Sequence, residues 1–514
     1  MMSQQGQEIE FEKLLLRNNP VICKVCWQYC GGSDFCFEEL RSLCVIELWH
    51  EFGHFRGESK ESTWVYQISL HAIDDLEIRI IHLLKLMKRN AGNLPGIILW
   101  HLSGHKAVSM FTVDCPIIAV TGTNGKTSVT NCIARLFEKS GKKIIINREG
   151  NNLDTGICSL LLRYCDMSGK VDADYLILET DESHVPVVYS QLKLDTLVVL
   201  NFFRDQIDRN GEMETLIQKI NGFCKTFEGN LILNGDDPNT ARLGRANPKN
   251  KNVRYFHAEP YAFATDKIFE ASEGRFCPFC GETLEYDYYQ YSDIGKFICK
   301  KCGFGDHKPY ITASGIDLEK PEFTADGHKY SPKLNSIYNV YNMTAVAGAA
   351  KLYGIDRKIT NEVISGYTVK NGRMENFMLG DRKTTLNLAK NPVGANMTLR
   401  VMNEMQGEKE LLFVLNDNVA DGLDVSWIWD INFSIFERVT RVVTSGTRAH
   451  DIAVRIKCSG YPQENIVVRP DLDKAVEELA KTEGRKFVIA NYTAVQPTRS
   501  SLKRYIAKHG GKTE

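Results

Sequence analysis

No apolar run in this 514-residue chain reaches the roughly 18 residues that a membrane span requires. The polar stretch Met1 to Glu8 carries no signal-peptide pattern. These two absences imply a cytoplasmic chain. Charge of one sign is also missing: 63 Lys and Arg stand against 64 Asp and Glu, a net charge of −1. That balance supplies no global field for nucleic acid and no acidic, disordered tail. Repeats and low-complexity segments are absent as well. What remains is an ordinary globular composition, 43% hydrophobic and 25% charged. The length exceeds what one core can organise, so two or three domains are expected.

Cysteine, by contrast, is plentiful, with 15 residues. A disulfide framework does not suit the cytoplasm. Closely spaced cysteines therefore read as metal ligands and scattered ones as small core residues.

From Pro116 the pattern is α/β. The apolar run Pro116–Val120 enters a glycine-rich loop, and Lys126–Lys139 follows as a helix with Val129, Ile133, Leu136 and Phe137 on one face. Further apolar runs at 175–178, 196–200 and 231–233 read as buried parallel strands, with a helix near 212–223 between them. This alternation predicts a doubly wound sheet. A cysteine- and aromatic-rich insert spans 271–305, and 335–352 reads as a small-residue helix. Beyond Asn371 a second α/β segment begins, with strands expected near 411–415, 441–444 and 487–490. The expected divisions are an N-terminal extension at 1–75, a helical lead-in at 76–115, a central domain at 116–370 and a C-terminal domain at 371–514.

The loop Thr121-Gly122-Thr123-Asn124-Gly125-Lys126-Thr127 is built for polyphosphate. Glycines let backbone N–H groups converge on oxygens, and the helix N-terminus adds a positive dipole end. Lys126 would reach the terminal phosphates of ATP, and the Thr127 hydroxyl would ligate Mg2+. Val120 stands where a Walker A loop has its first glycine, which leaves the shorter Gly-x-x-Gly-Lys-Thr. Glu179, Asp181 and Glu182 follow the run 175–178. A carboxylate at the C-terminal end of a parallel strand sits where Mg2+ at a phosphate site needs one.

Cys277, Cys280, Cys299 and Cys302 form C-x2-C-x18-C-x2-C, with Gly281 and Gly303 after the two pairs. Four thiolates at this spacing suit a closed, tetrahedral Zn2+ site. The insert's lysines (Lys296, Lys300, Lys301) are offset by Glu282, Glu285, Asp287 and Asp293, so no phosphate-binding stripe for nucleic acid results.

The phosphate loop, Glu179, Arg204-Asp205, Asn234-Gly235-Asp236-Asp237-Pro238 and Tyr338-Asn339-Val-Tyr-Asn342 occur in the order and spacing of the Mur ligase family. Gly372-Arg373-Met374-Glu375 resembles that family's linker motif. The resemblance implies a Mur ligase central ATP-binding P-loop domain with an inserted four-cysteine zinc ribbon, followed by an α/β C-terminal ligase domain. Gly122 to Thr127, Asn339, Asn342 and Arg373 are then expected at the nucleotide, and Lys126 and Glu179 in catalysis. Such ligases phosphorylate a carboxylate and let an amine displace the phosphate.

Two departures bear on the amine. Amino-acid-adding Mur ligases usually carry a His where this chain has Gln206, and their downstream carbamylated Lys has no evident counterpart. The ribbon and the runs Asn387–Asn396, Asn416–Asp430 and Ser445–Asp451 are similar to the MurT branch of the family. That resemblance implies amidation, by ammonia, of the α-carboxylate of D-isoglutamate in the lipid II stem peptide at the inner membrane face. Glutamine would be hydrolysed by a GatD-like class I glutamine amidotransferase, and an aspartate of this chain, Asp424 or else Asp421, would complete the partner's Cys-His pair. A ligase adding an amino acid, and a non-catalytic module gripping nucleic acid or protein, are the competing readings. Gln206 and Trp427-Ile-Trp429 argue against the first, and Lys126-Thr127 with Glu179 against the second.

The first 75 residues are less legible. His50-Glu51-Phe-Gly-His54 matches a short zinc-protease motif without a third ligand, and Cys23, Cys26, Cys30 and Cys36 offer one regular cysteine pair and one irregular spacing. At 75–89, Leu76, Ile80, Leu83, Leu84 and Met87 recur at helical spacing with basic residues near them. That helix would pack on its own domain or lie on a membrane surface.

Overall fold

A computed structural model describes residues 4–29, 34–57, 59–72, 94–103, 106–147, 151–204, 213–266, 274–333, 336–367, 375–418, 421–509 and 511–513. The expected helix at 75–89, Gln206 and Arg373 lie outside them. Two compact units emerge, Met1–Ala119 with Gly141–Thr196, and Val120–Ser140 with Leu197–Glu514.

In the first unit, the N-terminal extension is helical at Gln4–Tyr29, Asp34–Glu51 and 61–72. These helices share a core of Phe11, Leu14, Ile22, Val25, Leu40, Leu48 and Val65. Cys26 and Cys44 belong to it, with sulfurs 4.0 Å apart. Cys26 faces Cys44 and Cys23 donates to Asn19, while Cys30 lies outside the described residues. The second helix ends at Glu51, and His54 follows in a 3-10 turn paired with Glu51 at 3.2 Å. His50 and His54 thus do not share a continuous helix, as a zinc motif would require. Further along, Leu94–Ser103 packs on Asp154–Tyr164, where Gly96 donates to the Ser159 hydroxyl at 2.8 Å. A side chain at Gly96 would stand 1.9 Å from the Thr155 carbonyl, so only glycine permits this approach. The parallel strands Ile144–Ile146 and Tyr175–Glu179 also belong to this unit.

Two large sheets dominate the second unit. The first runs from Thr196–Val199 through Asn230–Asn234, Val253–Ala258 and Pro309–Asp317 to Glu322–Ala325 and His328–Tyr330. Its last two strands are antiparallel. Thr121, the last residue of the strand Ile117–Thr121, accepts from Leu200 at 3.1 Å. The helices Lys126–Lys139 and Ile337–Leu352 pack together, as the apolar face of the first demands. The second sheet orders Ile466–Val468, Val439–Ser445, Lys409–Val414, Arg485–Ala490, Arg382–Leu388, Glu375–Leu379 and Gly511–Thr513. Its two faces carry separate cores, one around Phe413, Phe433 and Phe487, the other around Phe377, Leu412 and Val488.

Between adjacent strands of this sheet lies a fully buried ion pair. Lys486 reaches the Glu410 carboxylate at 3.1 Å, and it also donates to the Thr482 carbonyl at 2.8 Å. Removing one member strands the other charge without water. Lys486→Met should therefore lower stability by roughly 3–5 kcal/mol. The double replacement Glu410→Leu with Lys486→Met should recover most of the loss, as urea unfolding midpoints would report.

Candidate functional site

The glycine loop turns between Thr121 and Lys126. Gly122 and Gly125 both take positive φ, 129° and 93°. At Gly125 space also decides: a Cβ there would lie 2.3 Å from the Asn342 side-chain oxygen. Asn201, just past the strand Thr196–Val199, braces the loop reciprocally. Its side chain accepts from the Asn124 N–H at 2.8 Å and donates to the Asn124 carbonyl at 3.0 Å. Its own carbonyl accepts from Thr123 N–H at 2.9 Å. The Thr123 hydroxyl accepts from Phe203 N–H at 3.0 Å. Lys126, largely buried, curls back to donate to the Gly122 carbonyl at 2.7 Å, inside the loop it is expected to serve. Thr127 is exposed at the helix start.

A cleft of about 810 Å3 opens beside this loop. One wall carries Asn124, Gly125, Asn201, Phe203, Tyr338 and Asn342. The other carries Asn387, Lys390 and Asn391, then Val393, Gly394 and Met397 from the helix Pro392–Glu404. Residues 338 and 342 lie one helical turn apart, so both face the cleft. Asn339 does not line it; buried, it donates to the Ser336 hydroxyl at 2.6 Å. Of the two helix asparagines expected at the nucleotide, Asn342 reaches the cleft and Asn339 supports the helix start.

Behind the cleft, the Asp236 carboxylate gathers partners from two elements. Tyr341 donates to it at 2.6 Å and Ala258 N–H at 2.9 Å, while the His257 ring meets it at 2.7 Å. Asp236's own N–H donates to the Asn234 side chain at 3.1 Å. Burial and the Asp236 carboxylate push the Tyr341 hydroxyl well above its ordinary range. Burial lifts the neighbouring Asp237 to about 6, against hydrogen bonds from Thr240, Phe202 and Asn239 that pull it down. His307 stays neutral, lowered to about 4 by burial and by His257, and meets the Gly235 carbonyl at 3.0 Å.

Glu179 belongs to the first unit. It is buried, its backbone is locked to Asn147, and its carboxylate accepts from Asn152 at 3.3 Å.

The four cysteine sulfurs gather within 4.8 Å of one another, with Cys277–Cys302 and Cys280–Cys299 at 3.5 Å. Thiolates about 2.3 Å from one tetrahedral ion would lie about 3.8 Å apart, so the cluster is compatible with zinc. Two matching knuckles build it. Gly281 N–H donates to the Cys277 carbonyl and Gly303 N–H to the Cys299 carbonyl, with both glycines at positive φ. Burial raises the Cys299 thiol, but donors from Cys302 N–H and the Cys280 thiol outweigh it and bring the group down to about 7. Arg245 fixes the ribbon to the central segment, donating to the Gly303 carbonyl at 2.9 Å and lying over Phe279 and Phe304.

Residues 120–297 match the model of the Mur ligase middle domain, and 388–495 that of the MurT ligase C-terminal domain. The MurT subunit of lipid II isoglutaminyl synthase (glutamine-hydrolyzing) from Staphylococcus aureus is 31% identical over 82% of this chain and 97% of its own length. The chain belongs to the MurT family. The MurT subunit from Streptococcus pneumoniae is 30% identical over 75% of this chain and 87% of its own. Among solved structures, a pseudomurein peptide ligase type C from Methanothermus fervidus shares the fold, with a TM-score of 0.62 at 19% identity over 82% of this chain and 88% of that one. As a MurT-family protein the chain is a ligase of peptidoglycan synthesis. No helix among the described residues is long and apolar enough to cross a membrane.

Two aspartates competed for the MurT-type role toward a partner. Asp421 is buried and holds both the N–H and the hydroxyl of Thr493. Asp424 is exposed, capped locally by Ser426 at 2.7 and 2.9 Å, between exposed Leu423 and Trp429. Asn201, which braces the loop, carries no local motif, and the run Asn387–Asn396 does not by its sequence alone show that Asn387 and Lys390 line the cleft.

The sulfur cluster predicts one tightly held metal ion per chain. Cys277→Ser should lower zinc content below one equivalent and destabilise the ribbon, because a structural ion contributes folding energy. Elemental analysis with thermal melting would check both, and full zinc occupancy in that variant would reject the site.

Proposed function

We propose that this chain amidates, at the expense of ATP, the α-carboxylate of D-isoglutamate in the lipid II stem peptide. The cleft carries the reading: it joins the phosphate loop and Asn342 on one wall to Asn387, Lys390 and Asn391 on the other, so a nucleotide and a carboxylate would meet there. A carboxylate is a poor electrophile, so its oxygen first attacks the γ-phosphorus of ATP and ADP departs. The product is an acyl phosphate. The lone pair of ammonia then attacks the acyl carbon, phosphate leaves with the C–O bonding pair, and a proton is lost from nitrogen. Lys126 and the loop N–H groups would meet charge on the phosphoryl oxygens. Mg2+ would neutralise further charge, with Thr127 as a candidate ligand. The four cysteines would hold Zn2+ in a structural role, since four thiolates leave no open coordination position.

Ammonia would come from a GatD-like class I glutamine amidotransferase. The exposed segment Leu423, Asp424 and Trp429 supports a docking edge, with Asp424 orienting the partner's histidine. A lipid-linked substrate would bring the complex to the inner face of the membrane, without nucleic acid.

Reconstitution with that partner, glutamine, ATP, Mg2+ and lipid II tests the reading by mass spectrometry. Exchange of OH for NH2 in the product supports it, and an unchanged mass or an added amino acid sinks it. In the same assay Lys126→Ala should cut amide formation by roughly 10²-fold or more while glutamine hydrolysis persists. Asp424→Asn should do the reverse, slowing glutamine hydrolysis by roughly 10²-fold or more with ATP binding intact. An unchanged glutaminase rate would remove Asp424 from the partner's triad.

A further inference from the structure

The ribbon is fastened to two neighbouring elements, and one of them is the helix that lines the cleft. Its strand Glu285–Tyr291 carries Gln290, fully buried, whose amide donates to the Ala258 carbonyl at 3.3 Å and the Glu259 carbonyl at 2.7 Å. The same residue's main-chain carbonyl accepts from Arg400 at 2.8 Å. The other arm of the Arg400 guanidinium donates to the Phe263 carbonyl. One side chain therefore spans two carbonyls from two different segments of the central part of the chain. Arg400 rises from the helix Pro392–Glu404. Its neighbours Met397, Thr398 and Val401 line the cleft, but Arg400 itself does not. On the facing wall, Tyr291 follows Gln290 directly, lines the cleft and packs edge-on against Tyr341 with ring centres 6.0 Å apart.

We propose that Arg400 is a positioning residue: it fastens the cleft-lining helix Pro392–Glu404 to the four-cysteine ribbon and thereby sets nucleotide affinity without touching the nucleotide. The inference rests on the reading of the cleft as the ATP site. Its chemistry is that of a fork. A guanidinium offers planar, diverging N–H donors that reach two separate carbonyls at once, whereas a lysine ammonium concentrates its donors on one atom. Main-chain carbonyls of the ribbon and of the loop after Val253–Ala258 are thus held at fixed distances from one helix. Loss of the fork frees that wall to open, and a nucleotide must then supply the closing free energy from its own binding. Affinity falls while the chemistry at the loop is untouched.

The test uses the full chain with Mg2+ and a fluorescent ATP analogue. Arg400→Ala should weaken equilibrium binding by about tenfold, the size of one lost charge-assisted interaction. Arg400→Lys should fall between it and the unaltered protein. Melting temperature should stay within about 2 °C, and zinc content should not change. In the reconstituted complex the KM for ATP should rise with kcat unchanged. Equal binding by Arg400→Ala and the unaltered chain overturns the inference. So does weaker binding that comes with lost zinc or a melting temperature lowered by more than about 4 °C, because that marks general unfolding. Failure of the unaltered chain to bind the analogue overturns instead the reading of the cleft, and the inference with it.

Discussion

A polyphosphate is gripped by backbone N–H groups aimed at one point, so the stillness of the glycine loop is the condition on which the site rests. Two positive-φ glycines allow the turn but cannot hold it, because glycine also frees the backbone. Asn201 supplies the restraint, taking and giving hydrogen bonds on both sides of Asn124. Thr123 adds a second tie to Phe203. Asn342 then closes against Gly125 so tightly that no side chain fits there. Loop, strand end and helix are each positioned by the next.

A buried carboxylate extends that arrangement away from the loop. Asp236 holds Tyr341 from the helix that also carries Asn342, and it holds His257 and Ala258 from the neighbouring strand. His307 leaves the ribbon and touches Gly235 one residue away. The ribbon is therefore wired by hydrogen bonds to the turn behind the cleft, and through Arg400 to the helix on its far wall. Four thiolates closing on one metal ion would leave no open position for substrate, so their part would be structural.

Much of this was legible in the chain. Periodicity placed Lys126–Lys139 to the residue, because a helix entered from a phosphate loop has a fixed first turn. The strands Tyr175–Glu179, Thr196–Val199 and Asn230–Asn234 fall on the continuous apolar runs at 175–178, 196–200 and 231–233, since parallel strands are covered on both faces. The cysteine spacing placed the ribbon because ligand geometry constrains sequence locally. The first 75 residues resisted because their helices bury cysteines and alternate apolar with charged positions weakly, and only mutual packing distinguishes their inner faces. The two-histidine motif failed there for a local reason: the helix ends at Glu51, before its second histidine.

The sequence by itself determined the phosphate loop, the sulfur cluster and the alternation of strands and helices, because each is dictated by residues close together in the chain. Tertiary structure alone decided which polar residues face the cleft or the solvent and which are buried. It placed Asn342 in the cleft and Asn339 beneath it, buried Asp421 against Thr493 and left Asp424 exposed, and brought Arg400 to a carbonyl 110 residues away. Such choices depend on long-range packing, where a side chain's partner is set by the crossing of elements and not by its spacing along the chain.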